Sequence, residues 1–294
     1  MTGTGNARLL PIARAGAAVA RAAGAADPTV KGRMSIAAVA AAACLLCAWV
    51  LAPKLHGFAY WIARTDRAAI AANAPPGWRL DVLAVEPGVE LIGLVRPPAH
   101  GDAPWLLFLP GNASGIAAGF APVLDAVASA RGCGAAFWPW RGFDASTGTP
   151  SPQGLLEDAR AAWRRLTQDL AIAPARIELW GYSLGSGIAV QFAAELCRAG
   201  TPPVRVVLLS AYDRIGVMRA GTFGRLLPDD VYDARAAAAA VTCPVVLVHG
   251  SADDTLPLDG ARALQRAIGA HAAMVELPGS GHVDYLAELP ALRW

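Results

Sequence analysis

The stretch Arg176 to Gly187, RIELWGYSLGSG, constrains this chain more than any other. An apolar run from Ile177 to Trp180 leads straight into Gly181-Tyr182-Ser183-Leu184-Gly185, and a helix-compatible segment, IAVQFAAELCRA, follows. A G-x-S-x-G pattern between a strand and a helix is the setting of a nucleophile elbow, a tight turn that leaves a serine hydroxyl projecting from the edge of a sheet. Such a turn crowds the backbone, and glycine, having no Cβ, fits at the flanking positions. Ser183 is therefore a candidate nucleophile. A plain glycine-rich turn could carry the same letters, so the reading needs partners for this serine elsewhere in the chain.

On either side of the turn, apolar runs alternate with helical segments. Strands are predicted over residues 79–85, 90–95, 105–109, 134–138, 176–180, 204–209, 245–248 and 273–277. A helix or helix-like connector is predicted over 58–73, helices over 119–130, 154–170, 188–199 and 259–268, and a short terminal one near Asp284. The run WLLFL at Trp105 to Leu109 is apolar without a break, as a strand buried on both faces must be. This order of elements predicts an α/β fold, a parallel sheet with helices on both faces. The alternation lapses between Ala211 and Cys243, where a crossover helix with a minimal cap is expected over 213–243.

Ahead of this pattern the chain changes character. Residues 1–33 are rich in Ala, Gly and Arg and carry Arg8, Arg14, Arg21, Lys31 and Arg33 against Asp27, which reads as a flexible basic tail. From Ser35 to Ala52 the sequence SIAAVAAAACLLCAWVLA holds no charge, at the short end of what spans a bilayer. One transmembrane anchor is predicted over 34–53, then a connector over 54–77 and a catalytic domain over 78–294. A cleaved signal peptide is the alternative, although the basic region before the apolar run is long for one. Lys and Arg near a span resist translocation, and the tail outweighs Lys54, Arg64 and Arg67. The N-terminus is thus expected in the cytoplasm of a bacterial-type cell and the catalytic domain outside the inner membrane.

A net charge of +2, with no basic stripe, speaks against a nucleic-acid partner. Cys44 and Cys47 form a C-x-x-C inside the apolar run, where they read as lipid-facing; no metal site and no cofactor is expected. Cys133, Cys197 and Cys243 show no ligand spacing.

A serine hydroxyl is a weak nucleophile near neutral pH and needs a base, itself oriented by a third group. In a parallel sheet these must come from the carboxyl ends of later strands. His282, in LPGSGH just after the last strand, is where a loop-borne base belongs. His56, His100 and His271 stand elsewhere, and His249, within apolar VVLVHG, reads as structural. The acid should fall between Ser183 and His282. HGSADDTLP offers Asp253, with Asp254 in reserve and Asp284 less well placed. For the oxyanion, the backbone N–H of Leu184 is one donor, and the loop Pro110-Gly111-Asn112-Ala113 supplies another, from Asn112 or else Ala113.

Taken together, GYSLG, LPGNAS, PWRGFDASTGTPSPQGLLED, HGSADDTLP and GSGH in this order resemble the α/β-hydrolase superfamily. The likeness is to its membrane-anchored serine hydrolases with an HGNA loop, grouped with serine aminopeptidase-like enzymes, and it covers about residues 81–282. It implies an eight-stranded, mostly parallel sheet and the triad Ser183, Asp253 and His282. Pro110 stands where that group has histidine, and Trp140 where tyrosine is common; Arg141 reads as structural. The expected activity is hydrolysis of carboxylic esters or thioesters through an acyl-enzyme. Small-molecule acyl esters or lipids are the expected substrates. An amidase or peptidase of the same fold, or a non-catalytic binding protein on it, are the alternatives.

Overall fold

The computed structural model describes residues 60, 62, 64–112, 119–214 and 233–292. The expected tail and anchor, part of the connector and much of the crossover lie outside the described residues. Among the described residues no helix is long and apolar enough to cross a membrane.

Strands β1 (Arg79–Glu86), β2 (Val89–Arg96), β3 (Trp105–Leu109), β4 (Gly134–Phe137), β5 (Ile177–Tyr182), β6 (Arg205–Leu209), β7 (Val245–Gly250) and β8 (Ala272–Leu277) form one sheet. Their spatial order is β1-β2-β4-β3-β5-β6-β7-β8. β2 runs against both β1 and β4, and every other neighbouring pair is parallel. This is the mostly parallel eight-stranded α/β-hydrolase architecture that the sequence led us to expect.

Period-two alternation along each strand feeds two core layers. In β3, Trp105, Leu107 and Leu109 face one layer while Leu106 and Phe108 face the other. In β7, Val245 and Leu247 go with the first, Val246 and Val248 with the second. The first layer is closed by helices α3 (Pro152–Arg164), α4 (Leu184–Arg198), α5 (Ala234–Ala238) and α6 (Leu258–Ile268). The second is closed by α1 (Arg67–Ala72), α2 (Ala121–Arg131) and the short 3-10 turn Asp284–Glu288.

Boundaries differ from expectation where side chains decide them. Of the helix or helix-like connector expected over 58–73, the described residues are helical only in α1, whose start is fixed by Asp66 accepting the Ala69 N–H at 2.7 Å. The helix expected over 154–170 is α-helical only to Arg164 and then widens into a π turn, Arg165–Asp169. In that turn Arg165 reaches Asp81 of β1 at 2.7 Å while Leu166 stays fully buried. The terminal helix near Asp284 is 3-10.

Beneath the carboxyl ends of the strands, Arg141 holds the loop after β4. Its backbone N–H and Nε donate to Asp158 of α3 at 2.8 and 2.9 Å, and Nη1 meets Glu86 at 2.6 Å. Burial pushes the Asp158 carboxyl up, and the Arg141 hydrogen bonds and charge oppose this only in part. Removing Asp158 leaves the buried Arg141 guanidinium with only the half-exposed Glu86 for a partner. Asp158→Ala should therefore lower the unfolding free energy in urea at neutral pH by about 3–5 kcal/mol. A change below about 1 kcal/mol would mean that solvent screens the pair as it does surface ion pairs.

Candidate active site

β5 delivers the chain at Tyr182 and α4 departs at Leu184, so Ser183 makes the whole turn, with φ 50° and ψ −117°. For a residue with a side chain this costs about 1–3 kcal/mol and must be over-determined by its surroundings. Three hydrogen bonds do so. The Ser183 N–H donates to the Leu209 carbonyl at the end of β6 at 2.9 Å, and the Ser183 carbonyl accepts the Ser186 N–H at 2.9 Å and hydroxyl at 2.7 Å. A Cβ at Gly181 would lie 2.5 Å from the Gly185 carbonyl oxygen, and one at Gly185 only 2.1 Å from that of Leu109. The helix begins at Leu184 and not near residue 188: Gly185 and Gly187 lie inside it, and at Gly185 the missing Cβ lets the helix backbone meet that of Leu109.

The structure brings together the three side chains picked out in the sequence. His282 Nε2 lies 3.2 Å from Ser183 Oγ, and His282 Nδ1 lies 2.7 Å from Asp253 Oδ2. Asp253 follows β7 and His282 follows β8, each at the carboxyl edge from which Ser183 projects. The other oxygen of Asp253, Oδ1, accepts the N–H groups of Thr255 at 3.0 Å and Leu256 at 2.8 Å. Burial raises the Asp253 carboxyl, but the His282 and Leu256 hydrogen bonds and the charge of the imidazoles outweigh it, holding the acid below the ordinary carboxylate range. With the carboxylate taking Nδ1–H, the Nε2 lone pair faces the serine hydroxyl.

The rival residues stand outside the line from Ser183 through His282 to Asp253, although His249 Nε2 lies 3.4 Å from Asp253 Oδ2. Asp254 is exposed, and Asp284 Oδ2 accepts the Gly281 N–H at 2.8 Å, shaping the loop that carries His282. His249 is fully buried, and its Nε2–H donates to the Leu256 carbonyl at 2.8 Å. His100 and His271 are exposed, the latter just before β8 at the opposite end of the sheet; His56 lies outside the described residues.

Leu184 is the first residue of α4, so its N–H has no intrahelical acceptor and shares the partial positive charge of the helix start. The loop after β3 passes directly over the serine: a Cβ at Gly111 would lie 2.9 Å from the Tyr182 ring and 3.2 Å from Ser183 Cβ. Asn112 follows in that loop, and Ala113 lies outside the described residues. The Pro110 carbonyl accepts the Trp140 indole N–H at 2.9 Å, so the two departures from the family pattern touch one another. Sequence reasoning also missed Tyr182 and Ser210, whose hydroxyls donate to the His282 carbonyl, and Tyr285, which bonds Ser210; nothing in their spacing marks them. Among the described residues no cluster of His, Cys, Asp and Glu is arranged to hold a metal ion, and Cys133, Cys197 and Cys243 are free thiols.

The chain has the fold of the α/β hydrolases. It is 31% identical over 221 residues to the uncharacterized protein Rv2307c of Mycobacterium tuberculosis, a match covering 73% of this chain and 75% of that one. It is 29% identical over 193 residues to the lysophosphatidylserine lipase ABHD12 of Danio rerio, covering 56% of this chain and 50% of the lipase. The crystal structure of an α/β hydrolase from Vibrio vulnificus superposes with a TM-score of 0.61 at 18% identity, over 74% of this chain and 78% of that one. No protein-family model matches the chain.

Burial disfavours the charged form of His249 and lowers its pKa from the usual 6.5. Below that value the unfolded chain takes up a proton that the folded chain refuses. The stability due to neutral His249 is thus whole above about pH 6.5 and is lost as pH falls toward the lowered folded value, with a slope of up to about 1.4 kcal/mol per pH unit. His249→Gln keeps a donor for the Leu256 carbonyl and removes the titration. Urea unfolding from about pH 7.5 to 5 should show a shallower decline in the variant than in the wild type; parallel curves would mean that His249 protonates equally well in both states.

Proposed function

We propose that the protein is a serine hydrolase that cleaves carboxylic ester or thioester bonds through an acyl-enzyme. The observation that carries this reading is the imidazole of His282 held between the Ser183 hydroxyl at 3.2 Å and the Asp253 carboxylate at 2.7 Å. Ser183 Oγ attacks the acyl carbon while its proton passes to His282 Nε2. Asp253 keeps the ring oriented and stabilises the imidazolium that forms. The N–H groups of Leu184 and Asn112 receive the oxyanion of the tetrahedral intermediate. As the intermediate collapses, His282 returns the proton to the leaving alcohol or thiol, leaving Ser183 acylated. Water, deprotonated by the same imidazole, then releases the acid and restores the hydroxyl.

Our reading further holds that Ser35 to Ala52 anchors the chain in an inner membrane, with the N-terminus cytoplasmic and the catalytic domain outside. Its support is the uncharged eighteen-residue run and the basic tail before it. A site tethered beside a bilayer meets acylated and lipid substrates, and the ABHD12 relative, named for lysophosphatidylserine, points to lysophospholipids as the first to try.

Two experiments test this. A fluorophosphonate probe should label the wild-type chain and fail on Ser183→Ala, whose kcat on acyl esters should fall by on the order of 10^6-fold. Equal labelling of both, or none of the wild type, sinks the assignment; a panel of esters, thioesters and aminoacyl amides ranks the bond cleaved. For topology, an alkaline phosphatase fused to the C-terminus should be active in a bacterial host, and an inactive fusion would reverse the orientation.

A further inference from the structure

The three side chains of the proposed mechanism come from the ends of β5, β7 and β8, and β6 contributes none. Yet β6 ends in the middle of them. The carbonyl of its last residue, Leu209, accepts the Ser183 N–H at 2.9 Å. Ser210, next in the chain, donates its N–H to the Val248 carbonyl of β7 at 3.0 Å and its hydroxyl to the main-chain carbonyl of His282 at 3.2 Å. Ser210 Oγ also lies 2.7 Å from the Tyr285 hydroxyl. A hydroxyl has one proton to give. Spent on the His282 carbonyl, it leaves Ser210 Oγ to accept from Tyr285, so the chain of bonds runs in one direction, from Tyr285 through Ser210 to His282. The Tyr182 hydroxyl donates to the same carbonyl at 3.4 Å.

Ser210 and Tyr285 are both fully buried, where a hydroxyl is tolerated only when bonded. Ser210 also has φ 46°, a conformation that glycine adopts without strain. A serine here adds strain that its hydroxyl bonds must offset.

Resting on the serine-hydrolase reading above, we propose that Ser210, supported by Tyr285, is a positioning residue that fixes His282 within reach of Ser183. The imidazole is tied at its ring to Asp253 and at its main chain to Ser210. Without the Ser210 hydroxyl, the His282 carbonyl keeps only the longer Tyr182 bond at 3.4 Å, and a small shift of this residue within its loop carries Nε2 away from Ser183 Oγ. A misplacement of about 1 Å costs up to about 100-fold in rate. Neither hydroxyl touches substrate in this scheme, so the loss falls on kcat and spares KM.

Two variants separate this from a merely structural role. Ser210→Gly suits the left-handed backbone and deletes the hydroxyl, while Tyr285→Phe deletes only the phenolic oxygen. On p-nitrophenyl esters, Ser210→Gly should lower kcat by about 10- to 100-fold with KM unchanged. Fluorophosphonate labelling should slow by the same factor, and the low-field proton resonance of His282 Nδ1–H should shift or broaden. Tyr285→Phe should give a smaller loss of the same kind, and the double variant should be no slower than Ser210→Gly. Wild-type kcat with an unmoved resonance in Ser210→Gly overturns the proposal. So do losses that multiply in the double variant, and, should Ser210→Gly not fold, so does a Tyr285→Phe chain with wild-type kcat. The serine-hydrolase reading fails by a different result, a wild-type chain that the probe does not label; the resonance then decides by itself whether Ser210 holds the imidazole.

Discussion

Helix α4 lies against the ends of β3 and β5 so closely that no β-carbon fits between them. At Gly185 the obstacle would be the Leu109 carbonyl 2.1 Å away, and at Gly181 the Gly185 carbonyl at 2.5 Å. With backbones in direct contact, one residue must turn the chain from strand to helix, and Ser183 does so in the left-handed region. The same contact aims the first amide of the helix and the loop after β3 at the space beside the serine oxygen. The serine hydroxyl and the amides proposed to receive the oxyanion are thus set by one packing arrangement, and a side chain added at either glycine would disturb both together.

The proposed acid and base are set by a second arrangement, in which the loops after β7 and β8 lock together. The Ala252 N–H donates to the Ser280 carbonyl at 2.9 Å, and the Gly279 N–H to Ser251 Oγ at 2.9 Å. A Cβ at Gly250 would meet the Ser280 carbonyl at 2.2 Å, so here too glycine lets two main chains touch. Within this pair of loops the two oxygens of Asp253 divide their work, one bound by backbone amides and the other by the imidazole. The amides fix the carboxylate independently of the histidine, which makes it a rigid reference against which the ring is oriented.

Much of this was legible in the sequence. Uninterrupted apolar runs such as WLLFL announce strands buried on both faces, and the alternation of runs and amphipathic segments gives the layers. The G-x-S-x-G turn and the chain order of Ser183, Asp253 and His282 picked out the residues that the fold brings together. What stayed hidden depends on contacts between distant residues. Periodicity cannot tell that Gly185 belongs inside a helix, since that follows from Leu109. The spacing favoured Asp253 over Asp254, and the reason lies in the amides of Thr255 and Leu256, which the Asp253 carboxylate meets. Periodicity does not show that Trp140 grips Pro110, or that Tyr285, 75 residues from Ser210, completes its hydrogen bond. The anchor and the crossover fall outside the described residues and rest on sequence patterns alone.

The order of these residues along the chain has a consequence for synthesis. Ser183 emerges from the ribosome ninety-nine residues before the histidine that stands beside it. Throughout that interval the nascent polypeptide carries an ordinary alcohol, no more reactive than any other serine. Only when the last strand of the sheet docks does the imidazole arrive, so an incomplete product, or one stalled in transit, holds the elbow without the proposed base beside it.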